Sequence, residues 1–199
     1  MKKITVCMFL LATAFGMNAQ EKENQKEVGI QFSSLNSFGL TYKSGTSKSL
    51  WRYNVLTAGV GSIDNDFENN NFDQRHDSFN ISASIGKEYR KKIATNLEFR
   101  SGFDLSFGYS SYKTENGPTI LNNFYQKRQA YSPGINAVIG LNYVINDKLV
   151  IGAEILPNIQ YSFGEVERLD SGVIYKGDLR EWNFGLNSNS ARLTVAYRF

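Results

Sequence analysis

The sequence predicts an all-β fold, a transmembrane antiparallel up-and-down β-barrel of eight strands. Two features of the chain predict it. Side chains alternate between apolar and polar along most of the length, which is the period of a strand with two different faces. The connections between these segments alternate between short and long, as they do in barrels with short turns on one side of a membrane and long loops on the other.

The alternation is clearest between residues 95 and 109. Six of the eight odd positions there are apolar or aromatic, and none of the even positions is. The segments 79–85, 135–143 and 149–161 show the same period. We therefore predict strands with one apolar and one polar face.

The connections predict the strand count. Short turns are expected near 45–48, 90–94 and 146–148, and long polar loops near 62–77, 110–130 and 164–180. The segment 28–42 is either one strand or a hairpin with its turn at 35–37. An unbroken strand gives seven strands, whereas bacterial single-chain barrels have an even number. Eight strands are therefore favoured.

The last strand region, 181–199, changes phase. Trp182 and Phe184 are at even positions, whereas Leu193 and Val195 are at odd ones. A bulge near 187–190 would absorb the extra residue. Pro157 needs a similar local adjustment, because proline has no backbone donor for a sheet ladder.

The N-terminal segment predicts secretion. Lys2 and Lys3 precede an apolar stretch from residue 4 to 17, which is typical of a signal peptide covering residues 1–19. A retained anchor is the less favoured alternative, since a spanning helix needs about 20 apolar residues. Residues 20–26 are expected to be a flexible periplasmic segment and 27–199 the barrel. Cys7, the sole cysteine, lies in the signal peptide.

Charge argues against one class of partner. Without Lys2 and Lys3 the net charge falls from +3 to +1, and no Lys/Arg stripe remains. The sequence therefore predicts no nucleic-acid partner.

The chain ends in alternating apolar residues and a terminal aromatic residue: Leu193, Val195, Tyr197 and Phe199. This pattern resembles the C-terminal signal of bacterial outer-membrane barrels, and the chain is similar to the small OmpX-like and OmpA-like barrels. The resemblance implies an integral location in the outer membrane of a Gram-negative cell, contact with lipid and lipopolysaccharide, and recognition of the four residues by the barrel-assembly machinery. The Ala19-Gln20 end of the signal peptide suggests the Bacteroidota.

Alternation does not say which face is outside, because a soluble lipocalin-like barrel has the same stripe turned inward. The polar face of 132–146 carries no charged residue, whereas a soluble exterior is about 25–35% charged. Aromatic residues also collect near the predicted strand ends, where lipid interfaces lie. Both facts favour an apolar exterior in a membrane.

The predicted inward face carries a balanced set of charges: Arg52, Glu88, Arg90, Glu98, Arg100, Asp104, Glu154 and Arg192. Paired carboxylates such as Glu98 and Asp104 are compatible with acid/base catalysis. The favoured interpretation is a set of salt bridges, because charges in a narrow lumen must be paired to offset their desolvation. A plugged lumen is similar to that of the OmpA and OmpX barrels.

A catalytic motif is weakly suggested by His76 and Ser78. Their His-x-Ser spacing is similar to that of outer-membrane lipid A deacylases, but Phe79 stands where that family has Asn, and both residues are predicted to point inward. Residues 64–68 are spaced like the start of a calcium loop but lack the glycine and glutamate of an EF-hand. We expect no catalytic residue, no metal site and no cofactor.

The predicted loops carry aromatic residues that suit contact with a surface glycan or protein: Phe67, Phe72, Phe124, Tyr125 and Tyr175. They equally suit loops that pack on one another. The sequence therefore predicts a structural or surface-interaction role, with a lipid A-modifying enzyme or a narrow channel as the alternatives.

Overall fold

The computed structural model describes residues 24–34, 37–67, 72–116, 125–170, 172–186 and 190–199. They form ten β-segments: β1 (Gln25–Ser34), β2 (Ser37–Gly45), β3 (Ser49–Phe67), β4 (Phe72–Ala94), β5 (Leu97–Asn116), β6 (Tyr125–Ile145), β7 (Leu149–Ile155), β8 (Asn158–Asp170), β9 (Val173–Gly185) and β10 (Ala191–Arg198). None of the described residues belongs to a helix long and apolar enough to cross a membrane.

The ten segments make eight barrel strands, as predicted. β7 and β8 are two parts of one strand, because both pair with β6 and only Leu156 and Pro157 separate them. β9 and β10 likewise form the last strand, since β9 pairs with β8 and β10 pairs with β7. The ring closes where β10 pairs antiparallel with β1.

The register sets the strand tilt. Starting at Val28, the paired residues on successive strands from β2 to β5 lead to Ile135 on β6. In the other direction around the ring, the paired residues on β10 and β7 lead to Ile145 on β6. This stagger of ten residues over eight strands corresponds to a tilt of about 43°. The lumen of such a barrel is just wide enough for its own side chains.

The first hairpin is split, as expected. β1 ends at Ser34 and β2 begins at Ser37; the other two residues of the expected turn, Leu35 and Asn36, lie outside the described part of the chain. β1 begins at Gln25, so the last two residues of the expected flexible segment 20–26 belong to the strand. Residues 1–19 lie outside the described residues.

The prediction of three long loops was wrong. The segments 62–77, 110–130 and 164–180 are mostly paired strand: β3 pairs with β4 up to Phe67 and Phe72, and β5 pairs with β6 up to Glu115 and Tyr125. Ladder hydrogen bonds need no apolar alternation, so pairing continues through polar sequence where the sheet leaves the lipid. The turn expected at 90–94 is also displaced, to Thr95 and Asn96.

Two irregularities have local causes. Three residues, 146–148, join β6 to β7, and the Lys148 amide donates to the Ile145 carbonyl at 3.2 Å. The two central residues of this turn, Asn146 and Asp147, both have positive φ, 50° and 59°, which matches the twist of a hairpin. Pro157 lies at the break between β7 and β8, where its carbonyl accepts from the Ala137 amide at 2.8 Å. The register with β6 continues across Pro157, from Ile155 opposite Ile139 to Asn158 opposite Asn136, so the proline removes a single donor from the ladder.

The apolar face is outside. Exposed side chains include Leu105, Ile135 and Val195, and the buried set is mainly polar or charged. The phase change of the last strand is confirmed, since Trp182, Phe184, Leu193 and Val195 are all exposed. Only a lipid surrounding makes such an apolar exterior stable.

Two aromatic girdles mark the membrane boundaries. The upper girdle has ring centroids 4.7 to 6.2 Å apart and comprises Phe79, Tyr109, Tyr131, Phe163, Tyr161 and Trp182. The lower girdle comprises Trp51, Tyr89, Tyr143, Tyr197 and Phe199. On β6, Tyr131 and Tyr143 are twelve residues apart, about 40 Å along the strand and about 30 Å along the tilted axis, close to the apolar band of about 25 Å in such barrels.

A lysine between the girdles should destabilise the barrel. Leu105 lies between Ile85 and Ile135 on the exposed face, so Leu105→Lys is expected to lower the free energy of unfolding in lipid vesicles by about 2–4 kcal/mol. Ser111→Lys is the control, since Ser111 lies on the same face of β5 above the upper girdle, paired with Phe79 and Gln129. Its cost should be about 0–1 kcal/mol. Equal urea midpoints for the two variants would contradict the assigned membrane position.

Candidate functional site

Charged side chains gather inside the barrel because they alternate with the apolar exterior residues along each strand. Ten of them are joined by ion pairs, and we call this set the lumen cluster: Glu27, Lys43, Arg52, Glu88, Arg90, Glu98, Arg100, Asp104, Glu154 and Arg198. Five acids face five bases. The cluster is therefore electrically balanced.

Three arginines bind carboxylates with both terminal nitrogens and so connect distant strands. Arg52 on β3 donates to both oxygens of Glu154 on β7, at 3.1 and 2.9 Å. Arg90 does the same to Glu27, at 2.6 and 2.7 Å, and Arg198 to Glu98, at 3.1 and 2.9 Å. Such bidentate pairs fix both partners in position as well as in charge.

Glu88 is the most connected member of the lumen cluster. Its carboxylate accepts from Lys43 Nζ at 2.8 Å, from Arg52 Nη1 at 3.1 Å and from Arg90 Nε at 2.6 Å. The Arg100 guanidinium lies 3.6 Å away. Glu88 is fully buried, so its negative charge is what allows four cations to lie this close together.

Two glycines make room for Arg100. A Cβ on Gly140 would lie 2.8 Å from Arg100 Nε, and a Cβ on Gly152 would lie 3.0 Å from Arg100 Nη2 and 2.7 Å from Asn142 Oδ1. A larger residue at either position would displace the guanidinium. The backbone of β6 and β7 is therefore shaped to hold this arginine.

Seven of the eight predicted inward charges belong to the lumen cluster. The eighth, Arg192, forms no ion pair with the described residues. Sequence reasoning missed Glu27, Lys43 and Arg198. Alternation provided a signal for the first two, because Glu27 shares its face with Gln31 and Lys43 with Thr41, all buried.

His76 and Ser78 do not form a catalytic pair. His76 Nδ1 lies 2.9 Å from Thr114 Oγ1 and 3.1 Å from the Tyr112 hydroxyl. Ser78 Oγ instead donates to the Gly61 carbonyl at 3.5 Å. The spacing in sequence therefore does not bring the histidine to the serine.

Four of the five predicted contact residues are described, and they lie at the strand ends beyond the upper girdle. The backbones of Phe67 and Phe72 pair with each other, and Phe124 is outside the described residues. Lys113 Nζ lies 5.7 Å from the centre of the Tyr125 ring. Tyr175 on β9 is 59% exposed.

Three of the four predicted assembly residues lie on the outer face of β10, and Phe199 directly follows the strand. Leu193, Val195 and Tyr197 alternate there and are exposed. The Phe199 backbone exchanges two hydrogen bonds of 2.9 Å with Lys26. The chain end is thus held in the ring by β1.

Two charged groups beyond the upper girdle have shifted pKa values. A hydrogen bond from Ser62 to Asp77 at 2.9 Å, with a second from Arg75 at 3.3 Å, lowers the pKa of the Asp77 carboxyl. A hydrogen bond to Glu115 raises the pKa of Lys113. This surface carries both signs of charge.

No model of a known protein family matches the chain, and no curated protein sequence is similar to it at a significant level. Solved structures are similar in fold. A major outer membrane protein from Thermus thermophilus aligns with a TM-score of 0.57 at 15% identity, over 88% of this chain and 99% of that one.

Two further structures align less well. Ail, the attachment invasion locus protein of Yersinia pestis, gives a TM-score of 0.35 at 16% identity over 90% of this chain and 100% of its own. CarO of Acinetobacter baumannii gives 0.38 at 11% identity, over 92% of this chain and 99% of its own.

The apolar exterior, the paired charges inside and the two girdles define the class of this protein. It is a small integral β-barrel of the outer membrane, with eight antiparallel strands.

Removing the charge of Glu88 should destabilise the barrel. Glu88→Gln leaves Lys43, Arg52, Arg90 and Arg100 without their shared anion, and breaking a buried pair costs about 3–5 kcal/mol. Glu115→Gln is the matched control, because its pair with Lys113 is partly exposed and such pairs contribute about 0–1 kcal/mol. Urea unfolding in vesicles measures both. A similar loss in the two variants would show that the lumen cluster adds no special stability.

Proposed function

We propose that this protein is a non-conducting outer-membrane barrel that holds a β-sheet outside the cell for contact with a surface partner. The observation that carries the proposal is the lumen cluster. Its ion pairs join β3 to β7 and β10 to β5, which are strands on different sides of the ring. A lumen crossed by these side chains has little room left for a water-filled path.

The strands are longer than the membrane requires. A transmembrane strand needs about 9–11 residues, whereas β4 has 23, β5 has 20 and β6 has 21. The additional residues lie beyond the upper girdle, at the ends of β4, β5, β6, β8 and β9. These ends form the extracellular sheet.

The extracellular sheet has the chemistry of a contact surface. It carries exposed aromatic rings such as Tyr175 and exposed ion pairs such as Arg128 with Glu181, 3.0 Å apart. One edge of β9 has no strand partner among the described residues. Rings, charges and free backbone groups together suit a glycan or a protein ligand.

The remaining partners follow from the location. Lipid and lipopolysaccharide would surround the band between the girdles. The outward residues of β10, which end in Phe199, would be read by the barrel-assembly machinery. No constellation in the described residues favours lipid A modification, and a narrow channel is the alternative that conductance decides.

Conductance should be absent in the wild type and appear when the lumen is opened. In planar bilayers we expect no unitary current steps from the wild-type barrel. The double variant Arg52→Ala with Glu154→Ala removes one bidentate pair and keeps the charge balance, so it should conduct. Steps from the wild type would instead identify a narrow channel.

The partner should be reached from the extracellular sheet. A photoreactive phenylalanine analogue at Tyr175, activated in the native outer membrane, is expected to give one discrete adduct. The same analogue at Tyr143, in the lower girdle, is the control and should label lipid only. Lack of an adduct at Tyr175, or the same adducts at both sites, would favour a purely structural barrel.

A further inference from the structure

A cavity lies inside the barrel on the extracellular side of the lumen cluster. Its volume is about 300 Å³. Along β5 the order from the periplasmic side is Arg100 and Asp104 in the cluster, then Ser106 and Ser110 in the cavity wall. The cavity is therefore nearer to the outside than the cluster is.

The wall of the cavity is rich in hydroxyl and amide groups. They come from Asn80, Ser82, Ser106, Ser110, Ser132, Asn136, Asn158, Gln160 and Ser190. Some are already engaged: Ser132 bonds Ser162 at 2.8 Å, and Asn158 donates to Ser190 at 3.2 Å. These bonds hold the wall in one arrangement, so the cavity is preformed.

Arg192 is the only charged residue that lines this cavity within the described part of the chain. Its register partner on β7 is Glu154, but the Glu154 carboxylate is bound at both oxygens by Arg52. Arg192 Nε and Nη1 are buried and have no hydrogen-bond partner. The lumen cluster is balanced without Arg192, so this guanidinium is an excess positive charge.

A desolvated charge without a partner is costly, and the cost falls when an opposite charge is supplied. Asp104 and Glu154 are the acids whose charges act on Arg192, but both form ion pairs with Arg52. The lumen cluster and Arg192 together hold six cations and five carboxylates, so one positive charge stays unbalanced. We propose that the cavity binds a small oxyanion, a carboxylate, sulfate or phosphate, with Arg192 as its anchor.

The geometry suits this class of ligand. A guanidinium presents a planar fork of donors that matches an oxyanion better than it matches chloride. The remaining oxygens of the anion would face hydroxyl groups such as Ser82 and Ser106. The ligand class thus follows from one unpaired arginine and a neutral polar wall.

Access is available from the extracellular side. Beside the cavity β9 ends at Gly185 and β10 begins at Ala191, and residues 187–189 lie outside the described part of the chain. β1 ends at Ser34, and above it β9 has no partner on this side among the described residues. A small anion would therefore enter without passing the lumen cluster. This inference goes beyond the proposed surface role and does not depend on it.

The test is a titration of the folded, isotope-labelled barrel in octyl glucoside micelles with inorganic phosphate against chloride of equal ionic strength. We expect saturable amide shifts at Arg192, Ser106 and Asn158. In Arg192→Gln the apparent affinity should fall at least tenfold. Arg180→Gln is the matched control, because Arg180 is an exposed arginine of the same barrel strand, and it should bind phosphate like the wild type.

A second variant shows whether a loss of binding in Arg192→Gln is due to misfolding of that variant. Ser106→Leu fills the cavity and leaves Arg192 in place, so it should also abolish the shifts. The proposal is overturned if phosphate and acetate both cause no saturable shift at cavity residues, or if Arg192→Gln and Ser106→Leu respond like the wild type.

A further arm distinguishes the source of the anion. The titration is repeated in phosphatidylcholine vesicles with and without lipopolysaccharide. Equal responses in the two would identify a free anion as the ligand. Cavity shifts that appear with lipopolysaccharide before any phosphate is added would identify a headgroup phosphate.

Discussion

The absence of water in the bilayer core is the constraint on which this structure depends. Every backbone donor and acceptor between the girdles must be paired within the protein, and a closed ring of strands is the arrangement that does so. The pairing of β1 with β10, from Glu27 with Arg198 to Phe32 with Leu193, closes that ring. Above the upper girdle the constraint ends. There the edges of β3 and β9 have no partner among the described residues, because water can satisfy them.

The same constraint decides where the charges lie. Alternation along a strand leaves only two faces, so a charge that is excluded from the lipid face must point into the lumen. The lumen of an eight-stranded barrel is just wide enough for its own side chains, so charges there must be paired to offset their desolvation. The Glu88 carboxylate forms ion pairs with four cations at once. The lumen cluster is therefore a consequence of an apolar exterior on a small barrel.

Sequence reasoning predicted the fold, the strand count and most of the inward charges, because all three depend on a period of two. It failed where pairing continues through polar sequence, as at 110–116 and 125–130, since hydrogen bonds between strands leave no apolar pattern. Sequence reasoning also could not predict which of the inward charges form ion pairs with each other. Parity placed Arg192 and Glu154 on the inward face, but only the three-dimensional structure shows that Arg52, from the opposite wall, binds the Glu154 carboxylate.

Pro157 links the fold to the cavity. The register of β7 and β8 with β6 continues across it, from Ile155 opposite Ile139 to Asn158 opposite Asn136, so the proline removes one donor without shifting the strands. Beside it the Ser190 carbonyl accepts from the Leu156 amide at 2.7 Å. This point lies immediately above Glu154 and Arg192, where the lumen changes from charged to neutral side chains. β10 pairs with β1 on one side and with β7 on the other. The ring is therefore closed at Arg192 and below it, and the cavity begins at the upper edge of this closed part.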